Sequence, residues 1–316
     1  MAERTRNLVL VYEPARMDFA DFKQIRARIH SRAPDIEVFV ISNAAPATSE
    51  ARRAAERPLL VVSPTRLRQY RPERGRIYAG KRLPKEGEMA RLAERGVPVP
   101  RTALLTPDAT FEPGEWGPYV LVKPTARGSQ STGAGVQAMR TERLRHIAPE
   151  DYPPGHPGRK GPMLVQQFID TGPCPRHYRI MTLFGEPLVA YYSELVDERP
   201  PLDAPDAVLE SACVATNGGR RRRVFFKDDD ILAMARRAYE AVPEIPLQGC
   251  DILRDARTGA LYVIEINAGG NTWHFSSPMG ARAREEFGSA DPMVGQFGAF
   301  DVAARVLIDR TRREAE

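Results

Sequence analysis

The sequence predicts a mixed α/β chain of 316 residues: a small parallel α/β domain at the N-terminus, followed by two α+β halves. Three observations carry this reading. Strand-like and helical runs alternate over residues 7–62, two hairpin patterns mark the second half, and amphipathic helical stretches separate them. At roughly 150 residues per domain the length suggests two domains, and a 42% share of hydrophobic residues supplies a sizeable core. Charged residues make up 28%, close to ordinary globular usage, which excludes disorder as the main theme.

Residues 7–12 read as a strand, 19–32 as a helix, and 36–41 and 59–62 as further strands. The first strand-to-helix turn, Glu13-Pro-Ala-Arg-Met-Asp18, has no glycine to cradle a pyrophosphate, which argues against a dinucleotide-binding opening. Residues 63–84 are basic and punctuated by Pro64, Pro72 and Pro84, and read as a linker. A helix over 85–95 carries Met89 and Leu92 and stops at Gly96, with Pro98 and Pro100 beyond. Next come a strand at 119–123, a Gly/Ser/Thr-rich stretch at 128–135, a proline-rich surface loop at 150–162 and a strand at 163–169.

Residues 179–184 and 187–192 read as a hairpin closed at Gly185-Glu186. Three acids at 228–230 open a helix striped by Leu232, Ala235, Tyr239 and Val242. Strands at 249–253 and 261–267 form a second hairpin. A last helix is expected from Asp291 as N-cap and Pro292, with Met293, Phe297, Phe300, Ala304 and Leu307 on its core side.

The net charge of +5 suits anionic small molecules and does not point to nucleic acid. The arginine run at 220–223 has no interleaved aromatics for base stacking; Asn217 and Arg220 remain candidates for an anionic site. The longest apolar runs, 8–12 and 59–62, fall far short of the roughly 20 residues of a membrane helix. The N-terminus shows no apolar secretory signal, so a cytoplasmic protein is expected, with no membrane partner. Cys174, Cys213 and Cys250 are too scattered for a disulfide framework or a zinc cluster.

Strand alternation puts Leu261, Val263, Glu265 and Asn267 on one face of the second hairpin, with Asp251 on the neighbouring strand. Side-by-side carboxylates cost several kcal/mol to bury without compensation. Either a hard divalent cation, Mg²⁺ or Mn²⁺, or a solvated hairpin face accounts for them. The stretch 128–135 can turn backbone N–H groups toward phosphate, but it is not a Walker motif. Lys123, at a strand end just before it, is placed to neutralise phosphate charge. The strand Leu164-Val-Gln-Gln-Phe-Ile169 could offer edge backbone groups and Gln166 or Gln167 to a flat heterocycle, and Arg179 could aim at a phosphate or carboxylate.

Taken in order, Lys85, Gly96-Val-Pro-Val-Pro100, Val120-Leu-Val-Lys123-Pro124, the loop 128–135, Val165-Gln-Gln-Phe-Ile169, Arg179, Gly249-Cys-Asp251 and Val263-Ile-Glu265-Ile-Asn267 resemble the ATP-grasp superfamily of carboxylate–amine ligases. The resemblance covers residues 81–275 and implies an N-terminal domain over 1–80 and an ATP-grasp clamp over 81–316. The clamp divides into a lid-bearing subdomain, 81–165, and a metal-binding subdomain, 166–316.

The resemblance also implies ATP and Mg²⁺ (or Mn²⁺) as cofactors. Lys85 and Lys123 would meet the phosphates, and Gly128, Ser129, Gln130 and Ser131 would cover them. Gln166, Gln167, Phe168 and Ile169 would hold adenine, Asp251, Glu265 and Asn267 the metal, and Arg179 the transferred phosphoryl group. The implied reaction joins a small-molecule carboxylate to an amine through an acyl phosphate, releasing ADP and phosphate. A phosphotransferase acting on a hydroxyl, or a non-catalytic ATP-binding scaffold, are the alternatives. A homodimer fits the habit of the family.

The sequence departs from the family pattern at Gln166-Gln167, where a glutamate is common, and at Tyr178, where an acid often precedes the arginine. It departs again after Asn267, where Asn271, Thr272 and His274 stand as acceptor-side candidates or as a plain polar loop.

Overall fold

Runs of valine, leucine and isoleucine build the first sheet. β1 (Arg6–Tyr12) is buried along its length, as a central parallel strand must be, and pairs in parallel with β2 (Ile36–Ser42) and β3 (Leu59–Ser63). β4 (Arg76–Ala79) adds in parallel beside β3, giving the order β2-β1-β3-β4. The stretch 63–84, expected as a linker, therefore contributes a strand. It lies at the sheet edge with Arg76 and Ile77 exposed, and so lacks the apolar run that marks a buried strand. The structure, a computed structural model, describes the chain except residues 1–4, 45–48, 82, 84, 126–134, 213–218 and 270 and the side chains of Lys85 and Glu86.

α1 (Phe19–Arg32) starts at Asp18, whose carboxylate accepts the Ala20 N–H at 2.8 Å, and packs Phe22, Ile25 and Ile29 on one face of this sheet. α2 (Ser49–Ala54) lays Ala51 and Ala54 on the other.

α3 (Lys85–Glu94) leads to a second, antiparallel sheet of β5 (Thr102–Leu104), β6 (Tyr119–Pro124), β7 (Gln137–Arg140) and β8 (Met163–Gln167), ordered β5-β8-β6-β7. α4 (Pro113–Trp116) packs Trp116 against Val120, Val122 and Val165. β8 was expected to offer an edge; it is an interior strand, paired with β5 and β6.

The third sheet is antiparallel and ordered β11-β10-β9-β12-β13. Its strands are β9 (Arg176–Leu183), β10 (Glu186–Leu195), β11 (Arg221–Phe225), β12 (Leu247–Arg254) and β13 (Leu261–Ala268). The β9–β10 turn falls on Phe184-Gly185, at φ 50° and 84°, so Glu186 belongs to the strand and not to the turn. α5 (Asp206–Ser211) reaches back to β7 through an Arg140–Asp206 ion pair.

α6 (Asp229–Ala241), capped by the Asp228 carboxylate on the Ile231 N–H at 3.2 Å, covers one face of the sheet. Ile231, Ala235 and Ala238 meet Ile180, Cys250, Ile252 and Val263 there. Cys174 and Cys250 are free thiols, and burial pushes the Cys250 thiol well up; Cys213 lies outside the described residues.

After α7 (Ala281–Glu286), the single helix expected from Asp291 is two: α8 (Asp291–Gly295) and α9 (Ala299–Glu314). Asp291 is the first residue of α8, not its cap. Gln296, just past α8, keeps helical backbone angles and uses its side-chain amide elsewhere. Its Oε1 accepts the Ala190 N–H and its Nε2 donates to the carbonyls of Ala190 and Phe226, all at 2.8 Å. Gly298, at φ 67°, then permits the turn into α9. Phe297 joins the α6 core, while Met293, Phe300, Ala304 and Leu307 join α1 and the first sheet. That shared core also holds Met181, Leu183 and Leu188, so α9 joins the first sheet to the third. Among the described residues no helix is long and apolar enough to cross a membrane.

Candidate active site

Asp251 on β12 faces Arg179 of β9 on one side and Glu265 of β13 on the other, in register. Pairing then skips from Asp251–Glu265 to Ile252–Val263, a bulge that makes Ile264 the extra residue. This corrects the simple alternation expected along 261–267. Leu261 and Val263 pack with Ile266 in the α6 core, while Glu265 and Asn267 stand on the opposite face with Asp251. The bulge converts one continuous alternation into two, with the apolar residues kept inside on both sides of it.

Arg179 grips Asp251 with both arms of its fork, Nε on Oδ1 and Nη2 on Oδ2, the latter at 2.7 Å. Asn267 Nδ2 donates to Asp251 Oδ2 at 3.1 Å. Burial disfavours the Arg179 charge; Asp251 beside it, with Tyr191 and Glu265, more than restores it, and the pKa stands above its ordinary value. His177, two residues earlier, lies with Nε2 3.9 Å from Asp251 Oδ1. Burial, reinforced by Arg179, Arg221 and Arg223, takes its pKa down to about 3, so it is neutral at pH 7. Two carboxylates and one amide oxygen are a donor set that suits a hard cation. Among the described residues no three His, Cys, Asp or Glu side chains cluster, so the amide is needed to complete such a set.

The loop after β13 closes tightly on β12. A Cβ at Gly249 would stand 2.7 Å from Thr272 Cγ2, so only glycine admits this approach. Thr272 Oγ1 donates to the Asn267 carbonyl at 2.9 Å, which makes this acceptor-side candidate a buried strut for Asn267. Asn271 points elsewhere and accepts from Arg16 Nη1 at 3.0 Å, near the surface. Of the three residues, His274 alone lies against the charged face. Its ring centroid is 6.0 Å from that of Tyr191, and burial, then Arg179, Arg223 and Arg284, take its pKa down to about 3.

On the second sheet, Lys123 Nζ donates to Gln166 Oε1 at 2.9 Å, and Gln166 Nε2 donates to Thr102 Oγ1 at 2.9 Å. Gln167 is tied to Arg101, the residue before β5, through its N–H on the Arg101 carbonyl at 2.8 Å and its side-chain oxygen under the Arg101 N–H at 3.4 Å. Phe168 lies against Tyr119, and Ile169 is buried where the strand ends. Gly128, Ser129, Gln130, Ser131 and Asn217 lie outside the described residues; Lys85 begins α3, but its side chain is likewise outside them.

No family model and no curated protein matches this sequence. Solved structures do match. The ATP-grasp ligase PsnB, complexed with a phosphomimetic variant of a minimal precursor, Mg and ADP, superposes at TM-score 0.52 with 14% identity over 98% of this chain and 100% of that one. A RiPP-associated ATP-grasp ligase of Chryseobacterium gregarium, in complex with ADP and a leader and core peptide, gives 0.52 and 14% over 97% of each chain. PsnB with precursor peptide PsnA2 and AMPPNP gives 0.51 and 15% over 98% and 99%. The chain has the ATP-grasp fold.

Within the ATP-grasp frame, two features escaped the sequence reading. Glu88, on α3 and 4% exposed, accepts the Ile266 N–H at 2.6 Å, tying the helix that Lys85 begins to the strand of Glu265 and Asn267. A lone glutamate in a helical run carries no signal of such a role. The arginines of β11 did carry one: period two separates Arg221 and Arg223 from their neighbours. Arg222 pairs with Glu194 at 2.6 Å on the side opposite His177 and Arg179, and Arg220, just before β11, pairs with Asp197 at 3.0 Å.

Proposed function

We propose that this chain is an ATP-dependent ligase that activates a carboxylate as an acyl phosphate and passes the acyl group to an amine, releasing ADP and phosphate. The observation that carries the reading is the Arg179–Asp251–Glu265–Asn267 cluster on one sheet face of an ATP-grasp fold. Its support from outside the chain is that similar structures are ligases bound to ADP or AMPPNP, one of them with Mg.

In this reading Asp251, Glu265 and Asn267 hold Mg²⁺ or Mn²⁺, which would supply charge neutralisation for the phosphates. Lys123, with Lys85, meets the triphosphate. Gln166 orients the Lys123 ammonium without neutralising it, because an amide oxygen accepts a proton but carries no charge. The segment Gln166, Gln167, Phe168 and Ile169 borders adenine, with Phe168 and Ile169 beyond the paired part of β8. The stretch Gly128, Ser129, Gln130 and Ser131 covers the phosphates and excludes water, which would otherwise hydrolyse the acyl phosphate. Arg179 stabilises the oxygens of the transferred phosphoryl group, its orientation set by Asp251.

The test is trapping. With Mg-ATP, a panel of carboxylic acids and hydroxylamine in place of the amine, the protein should release ADP and form a hydroxamate. A stable phosphorylated product that hydroxylamine does not consume would instead mark phosphoryl transfer to a hydroxyl.

A further inference from the structure

β13 carries two of the three metal ligands and ends the order β11-β10-β9-β12-β13, so the N–H groups on its outer side face no strand of the sheet. Two of them are satisfied from elsewhere. The Val263 N–H donates to the Pro98 carbonyl at 2.9 Å, and the Ile266 N–H to the Glu88 carboxylate at 2.6 Å. Along a regular strand the N–H groups of one side recur every second residue. A spacing of three is the mark of the bulge at Ile264. The irregularity that puts Glu265 and Asn267 on the face of Asp251 is therefore also what presents Ile266 to α3.

A carboxylate makes this bond a firm one. Glu88 is 4% exposed, and a bond from an N–H to an ionised acceptor is roughly twice as strong as one between neutral groups. The helix that carries it is seated on the same sheet. Met89 and Leu92 pack with Ile180, Cys250, Ile252 and Ile266, and Arg91 holds Glu244 with both arms of its fork, one at 3.1 Å. α3 precedes the second sheet in the chain yet packs on the third. Lys85 therefore opens a helix that is fastened to the metal strand.

We propose that Glu88 is a positioning residue for the metal ligands. Its hold on Ile266, the residue between Glu265 and Asn267, fixes where those two side chains stand relative to Asp251, as outer partners of metal ligands commonly do. Release of that bond leaves this stretch of β13 paired to β12 alone, with its outer edge free to shift. The cation then finds its ligands misplaced, and the nucleotide loses the help of the cation. The proposal rests on the metal–nucleotide site of the ligase reading above, and the failure of either can be told apart.

The experiment is calorimetric titration of ADP into the full chain, in excess Mg²⁺ and again in EDTA, read as the ratio of the two affinities. Wild type is compared with Glu88→Ala, Glu88→Gln and Glu88→Asp, and with Leu92→Ala as a control for lost packing on the same helix. Glu88→Ala should lower the ratio at least tenfold, with the EDTA affinity unchanged within twofold. Glu88→Gln, whose amide oxygen still accepts the N–H, should keep the ratio within threefold of wild type. Glu88→Asp, one methylene too short, should lower it at least threefold. Leu92→Ala should lose stability in urea and keep the ratio within twofold. An unchanged ratio in Glu88→Ala, or an equal fall in Leu92→Ala, overturns the positioning role and leaves the nucleotide site standing. A tenfold fall in Glu88→Gln also overturns it, by assigning the effect to charge. If Glu88→Ala does not fold, the other two variants decide, and equal ratios in Glu88→Gln and Glu88→Asp overturn the proposal. A ratio of one in wild type sinks the metal–nucleotide reading itself, and the proposal with it.

Discussion

The second and third sheets each present a cation toward the proposed reaction, and they hold it in opposite ways. Lys123 is steadied by the neutral amide of Gln166, itself anchored on Thr102. Arg179, half-buried, is clamped by a buried carboxylate, Asp251, which Asn267 also touches. An ammonium on an amide keeps its full charge for an arriving phosphate. A guanidinium on a carboxylate is nearly neutral as a pair and is bound into the stability of the sheet. One sheet therefore carries a group whose removal gives up a hydrogen bond to a neutral amide, and the other a group whose removal strands the opposite charge.

The most severe way to break this comparison is Asp251→Ala, which strands Arg179 in the sheet. A loss of about 3–5 kcal/mol in urea unfolding is expected. The double variant Asp251→Leu with Arg179→Met should recover most of that loss, since it removes both charges. Next is pH. His177 and His274 titrate near 3 in the folded chain and near 6.5 unfolded. The unfolded chain therefore binds more protons between these values, so their stabilisation is complete above about pH 6.5 and lost as pH falls toward 3. Urea midpoints should drop across that window, and His274→Asn should make the slope shallower by about one proton; an unaltered slope would place His274 outside the buried cluster.

A smaller effect is expected from Gly249→Ala, which forces a methyl to within 2.7 Å of Thr272 and should cost about 1–3 kcal/mol. Lys123→Met takes one donor from the buried Gln166 amide and should cost about 1–3 kcal/mol, below the cost of stranding the Arg179 charge. That same variant should weaken Mg-ATP binding at least tenfold in calorimetry, which separates the two sheets directly.

Much of this was legible before any coordinates. Ordered short motifs pointed to the fold, and alternation along the last hairpin brought Asp251, Glu265 and Asn267 together. What alternation could not show is the bulge at Ile264: a bulge is a two-strand property, visible only when β12 is laid beside β13. The break before α9 lies at Gly298, a left-handed residue in a run whose apolar spacing continues across it. β4 was hidden by its edge position, and Glu88 by the absence of any local pattern for a side chain that caps a distant backbone N–H. Local periodicity reports which face is buried; it does not report which partner a polar group finds.

The most direct measurement is calorimetric titration of ATP into wild type and Glu265→Gln, each in excess Mg²⁺ and again in EDTA. The account predicts tight, metal-dependent binding by wild type and at least tenfold weaker binding by Glu265→Gln, with both proteins equally folded by circular dichroism. Equal binding by the two proteins, or binding by wild type that EDTA leaves unchanged, would contradict the assignment of this sheet face to a metal–nucleotide site.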